Sequence, residues 1–410
     1  MREVREVSVR RLHRFAPGNI SAKQAFSLTL SLLSHSRFSH ALTSLSLSHT
    51  LFILMFTKKQ NRPFLIAGPC SAESEEQVIA TARGLKDLGI DLFRSGVWKP
   101  RTRPGAFEGN GPQALPWLRL VKQETGLKTT IEVANGNQVY EALKHGVDVL
   151  WVGARSTVNP FSVQEIADAL KGVDVPVLIK NPVNPDLDLW IGAIERIRNA
   201  GVSNIGAIHR GFSTYTKSKF RNAPYWELPI ELRRRMPDLP MICDNSHICG
   251  NREDLLEVAQ QALDLNYDGL MTEVHPNPDA AWSDAKQQIT PFVYAELVAS
   301  LIVRRETTDN VEFLENIENL RHKIDEIDLD LLNLLSRRMR IAEDIGRYKL
   351  RNNIAILQAV RWNEILEKGF AEGRQRGLND EFIEKFLSAV HNESIAHQQT
   401  VMHPAVEKEA

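Results

Sequence analysis

From residue 63 the chain alternates apolar, strand-like runs with helix-compatible stretches, and this alternation constrains the fold more than any other feature. The runs are "PFLIAGPC", "IDLFRSGVWK", "LKTTIEV", "VDVLWVGAR", "VPVLIK", "NIGAIHRG", "LPMICDNSH" and "DGLMTEVH". Between them lie segments such as "SEEQVIATARGLKDLG", "GNQVYEALKHG", "SVQEIADALKG" and "NREDLLEVAQQALDLN". Strand–helix alternation implies a parallel sheet. Eight such units in about 240 residues match the usual size of an α/β (β/α)8 barrel, or TIM barrel. A doubly wound open sheet is the competitor, but its glycine-rich dinucleotide fingerprint is missing. The pattern therefore predicts a barrel over 61–304.

In such barrels chemistry sits at the C-terminal strand ends. Those ends here carry Cys70, Arg94 and Lys99, Glu132, Arg155, Lys180, Arg210, Asp244 and His247, and Glu273. Each has a mundane reading when taken alone: a solvated rim charge, or a satisfied core histidine. Rim charges, however, have no reason to fall at the same end of every strand.

The residues divide by chemistry. Arg94, Lys99, Arg155, Lys180 and Arg210 form a cationic wall of the kind that holds phosphates and carboxylates. Lys180 ends the apolar run "VPVLIK" with no acid near it in sequence, so an anionic partner is expected. Cys70, His247, Glu273 and Asp284 offer mixed soft and hard ligands, suited to a divalent transition metal; Mn, Fe, Co and Zn all tolerate them. Cys243 and Cys249 in "CDNSHIC" compete for that role. Cys243 has even parity with His247 but sits too deep in its strand, so it is assigned to the core. Cys249 is taken as a loop residue without a role.

Past "LIVRRETTDN" the composition changes: no proline occurs from 311 until Pro404. Residues 305–311 read as a linker, 312–403 as an all-α domain and 404–410 as a tail. Ile317, Leu320, Ile324, Ile327, Leu331, Leu334, Ile341, Ile345 and Tyr348 follow three-and-four spacing, which predicts one helix to about residue 350. A helix of that length must pack along other helices or a second chain. Two shorter helices are expected over 356–376 and 379–402, capped by Asn379 or Asp380. Arg338 interrupts the apolar stripe, and Lys349 lies beside the same face.

The N-terminal 60 residues stand apart. No acid occurs between Glu6 and Glu73, and a Ser/Leu/His-rich run occupies much of the segment. We set 1–60 outside the fold, as a disordered or non-native extension with Met55 a candidate initiator; an organelle transit peptide is the alternative. The whole chain has 410 residues, 43% of them apolar, and a net charge of −1. That balance argues against a general nucleic-acid or membrane-surface binder. Three cysteines form no disulfide framework and fit a reducing, cytoplasmic setting.

"AGPCSAES", "RSGVWKPRTRPGAFEG", "GARS", "IKNP", "HRG", "DNSH" and "TEVHPNPDAAWSDAKQ" occur in order over about residues 63–303. In these motifs the barrel half resembles the short, barrel-only branch of the 3-deoxy-D-arabino-heptulosonate 7-phosphate (DAHP) synthases. The resemblance implies a metal-dependent condensation of phosphoenolpyruvate with erythrose 4-phosphate. It implies metal ligation by Cys70, His247, Glu273 and Asp284, with Cys70, His247 and Lys99 taking part in catalysis. Arg94, Lys99, Arg155, Lys180, Arg210 and Asp244 would then surround phosphoenolpyruvate. Arg101 and Thr102 of "KPRT" would hold the erythrose phosphate. A sister family that uses arabinose 5-phosphate is the runner-up.

The segment "LRHKIDEIDLDLLNLLSRRMRIAEDIGRYK", followed by "RWNEIL" and "FLSAVHNESIAHQ", resembles the all-helical chorismate mutases. The resemblance implies that Arg321, Arg338, Lys349, Arg361, Ser394 and Gln398 surround chorismate, with Arg338, Lys349 and Gln398 catalytic. Arg321 would reach the partner's site in an intertwined homodimer. Two positions depart from the family pattern: Gln358 replaces an acid, and Trp362 replaces the glutamate that contacts the ring hydroxyl of the substrate. Glu364 would compensate if the helix shifts. Three readings follow: a two-activity enzyme; a synthase with a chorismate- or prephenate-sensing regulatory module; or helices that only dimerise the barrel.

Overall fold

The computed structural model describes residues 54–59, 62–100, 105–215 and 218–403. The chain divides into two compact units, one ending at Arg304 and the other starting at Arg305. The first is a closed barrel of parallel strands in sequential order: β1 (Phe64–Gly68), β2 (Leu92–Arg94), β3 (Thr129–Val133), β4 (Val149–Val152), β5 (Val177–Lys180), β6 (Ile205–His209), β7 (Met241–Asp244) and β8 (Gly269–Glu273). β1 pairs with β8 from Phe64↔Gly269 to Gly68↔Glu273, which closes the ring.

The two-residue repeat of the strands sorts their side chains between two cores. Phe64, Ile66, Leu92, Val149, Trp151, Leu178, Ile208, Ile242 and Met271 form one cluster inside the barrel. Leu65, Ala67, Phe93, Ile131, Leu150, Val177, Ile179, Ala207, Cys243 and Leu270 belong to the other, packed with the surrounding helices. Continuing the inward parity by two residues gives Arg94 after Leu92, Lys180 after Leu178, Arg210 after Ile208, Asp244 after Ile242 and Glu273 after Met271. The strands thus deliver apolar packing deep in the barrel and charge at its C-terminal mouth.

Phe56 closes the other end. It lies in the 3-10 turn Leu54–Phe56 and is buried with the inward cluster. Residues 54–59 therefore include part of the barrel, although the sequence placed all of 1–60 outside it; residues 1–53 are outside the described residues. Gly68, with φ of +147°, ends β1 where a Cβ would stand 2.1 Å from the Arg94 carbonyl oxygen. Only glycine allows β1 and β2 to approach so closely there.

Two short helices complete the mouth: Ala154–Thr157 after β4 and Asn245–Cys249 after β7. Asp244 caps the latter, accepting from the His247 backbone N–H. Cys249, expected in a loop, is the last residue of this helix and is buried in the outer core. Cys243 is also core, for a simpler reason than depth: it faces the helices because its neighbour Asp244 faces inward.

Among the described residues the second unit is three helices, Val311–Arg351 (α11), Ala359–Gln375 (α12) and Asp380–Met402 (α13), the labels counting the ten described helices of the barrel unit as α1 to α10. Asn310 and Asn379 cap α11 and α13 with their side chains. The turn before α13 passes through Gly377 at φ +74°. Met339, Ala342 and Gly346 of α11 are buried, and a Cβ at Gly346 would meet the backbone of Gln398 on α13 at 3.2 Å. The N-terminal half of α11 differs: Leu320, Ile324, Ile327, Leu331 and Leu334 are all exposed within one chain.

Candidate active site

At the barrel mouth, atoms of Cys70, Glu273 and Asp284 lie within 4.8 Å of one another, a spacing that one metal ion could span. Cys70 Sγ is 3.3 Å from Asp284 Oδ2, and Lys99 Nζ donates to the same sulfur at 3.0 Å. His247 is not in that threesome but borders it, with Nε2 3.8 Å from Glu273 Oε1. Its Nδ1 donates to Asp244 at 3.0 Å. A carboxylate can only accept, so the proton sits on Nδ1 and the Nε2 lone pair points toward the cluster. The donor set fits a divalent transition ion: one sulfur, one imidazole nitrogen and two carboxylates, with an orienting acid behind the imidazole.

The charges within this cluster act strongly on one another. Burial, with Glu273 adding to it, pushes the Cys70 thiol up to about 12. Burial pulls His247 down despite Asp244, which keeps the imidazole neutral. Burial opposes the charge on Asp284, but Arg221, Lys99 and the hydrogen bond from Cys70 hold it well below the carboxylate range. Burial opposes the charge on Lys99, but Cys70 and Glu273 raise it above the usual lysine range. A buried thiol of this kind becomes a good ligand only when a cation replaces its proton.

The cationic wall stands beside this cluster. Arg94 is fully buried with its Nη2 2.9 Å from Glu273 Oε1. Its Nε and Nη1 are buried and have no hydrogen-bond partner among the described residues. Lys180 Nζ donates to Asp244 Oδ2 at 2.7 Å, so the anion sought for this lysine is supplied by the protein itself, 64 residues away. Both cations lie over the Trp151 ring, at 5.2 Å for Arg94 and 5.6 Å for Lys180. Arg210 donates to Asn222 Oδ1 at 2.8 Å, and burial beside Arg221 and Arg155 lowers its pKa to about 10. Arg155 itself is exposed, on the short helix after β4. Glu132 accepts from Trp151 Nε1 at 3.0 Å and thereby holds that ring. Arg101 and Thr102 lie outside the described residues.

Sequence reasoning missed several contributors. Trp151 faces inward on β4, and strand parity could have identified it. Gln287, in the "SDAKQ" motif, donates to Glu273 Oε2 at 2.7 Å. Arg221 pairs with Asp284 at 3.0 Å from an irregular segment that carries no local signal.

In the helical unit two cations, Arg338 and Lys349, both act on His391. Arg338 donates to Ser394 Oγ and, at 3.4 Å, to the Val390 carbonyl oxygen. Lys349 Nζ donates to Ile356 O at 2.5 Å, and burial draws its pKa down. Gln398 is buried, and its Oε1 has no hydrogen-bond partner among the described residues. Arg361 is exposed and tied to Glu364 at 2.8 Å, so Glu364 does not take the place of the missing glutamate. Trp362 instead stacks on His391. Gln358 is the N-cap residue of α12 but makes no side-chain cap. Arg321 pairs only weakly with Glu318, at 3.5 Å, and lies seventeen residues, or about 25 Å of helix, from Arg338. One chain therefore does not bring Arg321 to the pocket.

Two family models match. "DAHP synthetase I family" covers residues 52–311, and "Chorismate mutase type II" covers 320–399. A phospho-2-dehydro-3-deoxyheptonate aldolase of Thermotoga maritima is 30% identical over 58% of this chain and 68% of its own length. A 2-dehydro-3-deoxyphosphooctonate aldolase of Vesicomyosocius okutanii is 28% identical over 64% of this chain and 99% of its own. The crystal structure of a Thermotoga maritima DAHP synthase superposes with a TM-score of 0.53 at 30% identity, covering 58% of this chain and 68% of that one. A truncated form of the Thermotoga maritima enzyme gives 0.51 at 27% identity, covering 58% and 85%. The chain is a member of the DAHP synthetase I family that carries a chorismate mutase type II domain, and so a bifunctional enzyme of the shikimate pathway.

Proposed function

We propose that the barrel joins phosphoenolpyruvate to erythrose 4-phosphate and that the helical unit converts chorismate to prephenate. The observation that carries the first half is the pairing of a converging Cys70, Glu273 and Asp284 with a buried Arg94 whose Nε and Nη1 have no partner. Two unpaired donors on a buried guanidinium are costly unless an anion meets them. Phosphoenolpyruvate carries a phosphate and a carboxylate, and the buried Arg94, Lys180 and Arg210 at the strand ends suit both. Trp151 supports the first two cations from beneath.

A divalent ion held by Cys70, His247, Glu273 and Asp284 would act as a Lewis acid on the aldehyde oxygen of the sugar phosphate. The protein orients the reactants. Arg94 and Lys180 fix the enol so that C3 faces the aldehyde carbon, which removes much of the entropic barrier. Lys99, kept cationic, adds positive charge where the aldehyde oxygen becomes an alkoxide. Water adds at C2 and phosphate departs toward Arg210 and Arg155. The "KPRT" segment favours erythrose 4-phosphate; arabinose 5-phosphate is the competing acceptor, in keeping with the octonate aldolases among the relatives.

Chorismate rearranges in one unimolecular step and needs no acid, base or nucleophile. Arg338 and a partner's arginine suit its two carboxylates, while Lys349 and Gln398 suit the ether oxygen as charge develops there. The exposed apolar stripe on the first half of α11 supports a homodimer in which Arg321 completes the other chain's pocket. Both reactions should be assayed on one preparation, after chelation and after adding back Mn, Fe, Co or Zn. Condensation should vanish and return, with turnover of erythrose 4-phosphate, while the mutase rate stays constant. Condensation that survives complete chelation, or turnover with arabinose 5-phosphate alone, would refute the first half.

A further inference from the structure

One polar atom in the helical pocket is unused by the chemistry above. His391 Nε2 is buried and has no hydrogen-bond partner among the described residues. Its ring stacks on Trp362, with centroids 4.2 Å apart and planes 21° from parallel. The imidazole is therefore fixed from two sides: by α13, which carries it, and by α12, which carries Trp362.

The ring also belongs to the pocket. Residues 391, 394 and 398 recur at three and four positions, so His391 shares one face of α13 with Ser394 and Gln398. Arg338 reaches this face through Ser394 Oγ and the Val390 carbonyl, next in sequence to His391. Burial, together with the charges of Arg338 and Lys349, holds the imidazole below its ordinary pKa. A neutral ring nitrogen can pair with a hydroxyl, which both donates and accepts.

The chorismate mutase resemblance implies a glutamate at the position of Trp362, in contact with the ring hydroxyl of the substrate. An indole cannot repeat that contact: it offers one donor and no acceptor, and its face is occupied by the stack. We propose that His391 Nε2 hydrogen-bonds the ring hydroxyl of chorismate in this chain, with Trp362 as the residue that positions the imidazole. The exchange replaces an acidic contact on α12 by a neutral one on α13. It rests on the mutase reading of the helical unit.

The test uses the full chain and two substrates, chorismate and its analogue with hydrogen in place of the ring hydroxyl. The readout is the ratio of their kcat/KM values. Loss of folded protein lowers both rates and leaves the ratio unchanged, whereas loss of the hydroxyl contact changes the ratio itself. The unmodified chain should prefer chorismate by about 10-fold, the upper range for one neutral hydrogen bond. His391→Phe keeps an aromatic ring on Trp362 but removes the nitrogen, and should bring the ratio to about one. Trp362→Leu frees the ring without deleting it and should move the ratio part of the way; it serves if the first variant does not fold. An unchanged ratio in whichever of these variants folds overturns this inference and leaves the mutase reading standing. Absence of chorismate turnover in the unmodified chain overturns both.

Discussion

Lys180 Nζ and Asp244 Oδ2 stand 2.7 Å apart at the ends of β5 and β7, and both side chains are buried. Asp244 also accepts from His247 Nδ1, so one carboxylate links the cationic wall to the cluster of Cys70, Glu273 and Asp284. Burial opposes the charge on Asp244, but Lys180, Arg94 and the hydrogen bond from His247 hold its pKa well below the usual range. Removing one member of a buried pair strands the other charge, at a typical cost of about 3–5 kcal/mol. Asp244→Ala should therefore destabilise the barrel by that order and abolish condensation. Lys180→Met with Asp244→Asn should recover much of the stability without activity. Urea titration of the single and double variants checks both statements.

Arg94 is held by geometry as much as by charge. Lysine at this position keeps the charge but loses the planar fork over Trp151 and the two donors left for substrate. Arg94→Lys should lower kcat/KM for phosphoenolpyruvate by about 100-fold, in the range for losing one preorganised donor at a developing charge. The mutase rate of the same sample should be unchanged, and steady-state assays of both reactions give the answer.

Arg338 has no counterpart in the barrel. Arg338→Ala removes the cation that bonds Ser394 and should lower mutase kcat/KM by about 100-fold or more. Condensation in the absence of chorismate and prephenate should proceed at the normal rate. A parallel loss of both activities would count against two independent pockets.

His209 gives the barrel a built-in acid sensitivity. Its Nε2 is 2.7 Å from the Pro224 carbonyl, which only accepts, so the proton is on Nε2 and Nδ1 accepts from the Tyr267 hydroxyl at 2.9 Å. Burial lowers its pKa from 6.5 to about 3. Above pH 6.5 the folded and unfolded forms are both neutral here and stability is full. Below it, the unfolded chain takes up a proton that the fold refuses until about pH 3. Stability should fall across that window by up to about 1.4 kcal/mol per pH unit from this group. In His209→Phe the pH slope of the urea midpoint should be shallower, even though the variant starts less stable.

The strand parity that sends Leu178 inward also sends Lys180 inward, so the position of the lysine is legible in "VPVLIK". Its partner is not: Asp244 is 64 residues away, and only barrel closure fixes which strand ends face each other. The four proposed ligands differ in the same way. Cys70, Glu273 and Asp284 converge closely, but His247 rides on a short helix after β7, which strand counting cannot resolve. Phe56 is hidden by the composition upstream of it, although its burial makes it part of the core. The long helix is plain from its repeat, and the apolar residues of its first half stay exposed within one chain. Trp362 stands out in the sequence only as a departure; its stack on His391 depends on two helices whose relative register carries no local signal.

The most direct measurement is anomalous diffraction from crystals soaked in Mn(II) and phosphoenolpyruvate. A single peak about 2.0–2.4 Å from Cys70 Sγ, His247 Nε2 and oxygens of Glu273 and Asp284 is predicted, with the substrate phosphate or carboxylate on Arg94. A manganese peak away from these four side chains, or phosphoenolpyruvate bound elsewhere than Arg94, would contradict the assignment of the barrel mouth.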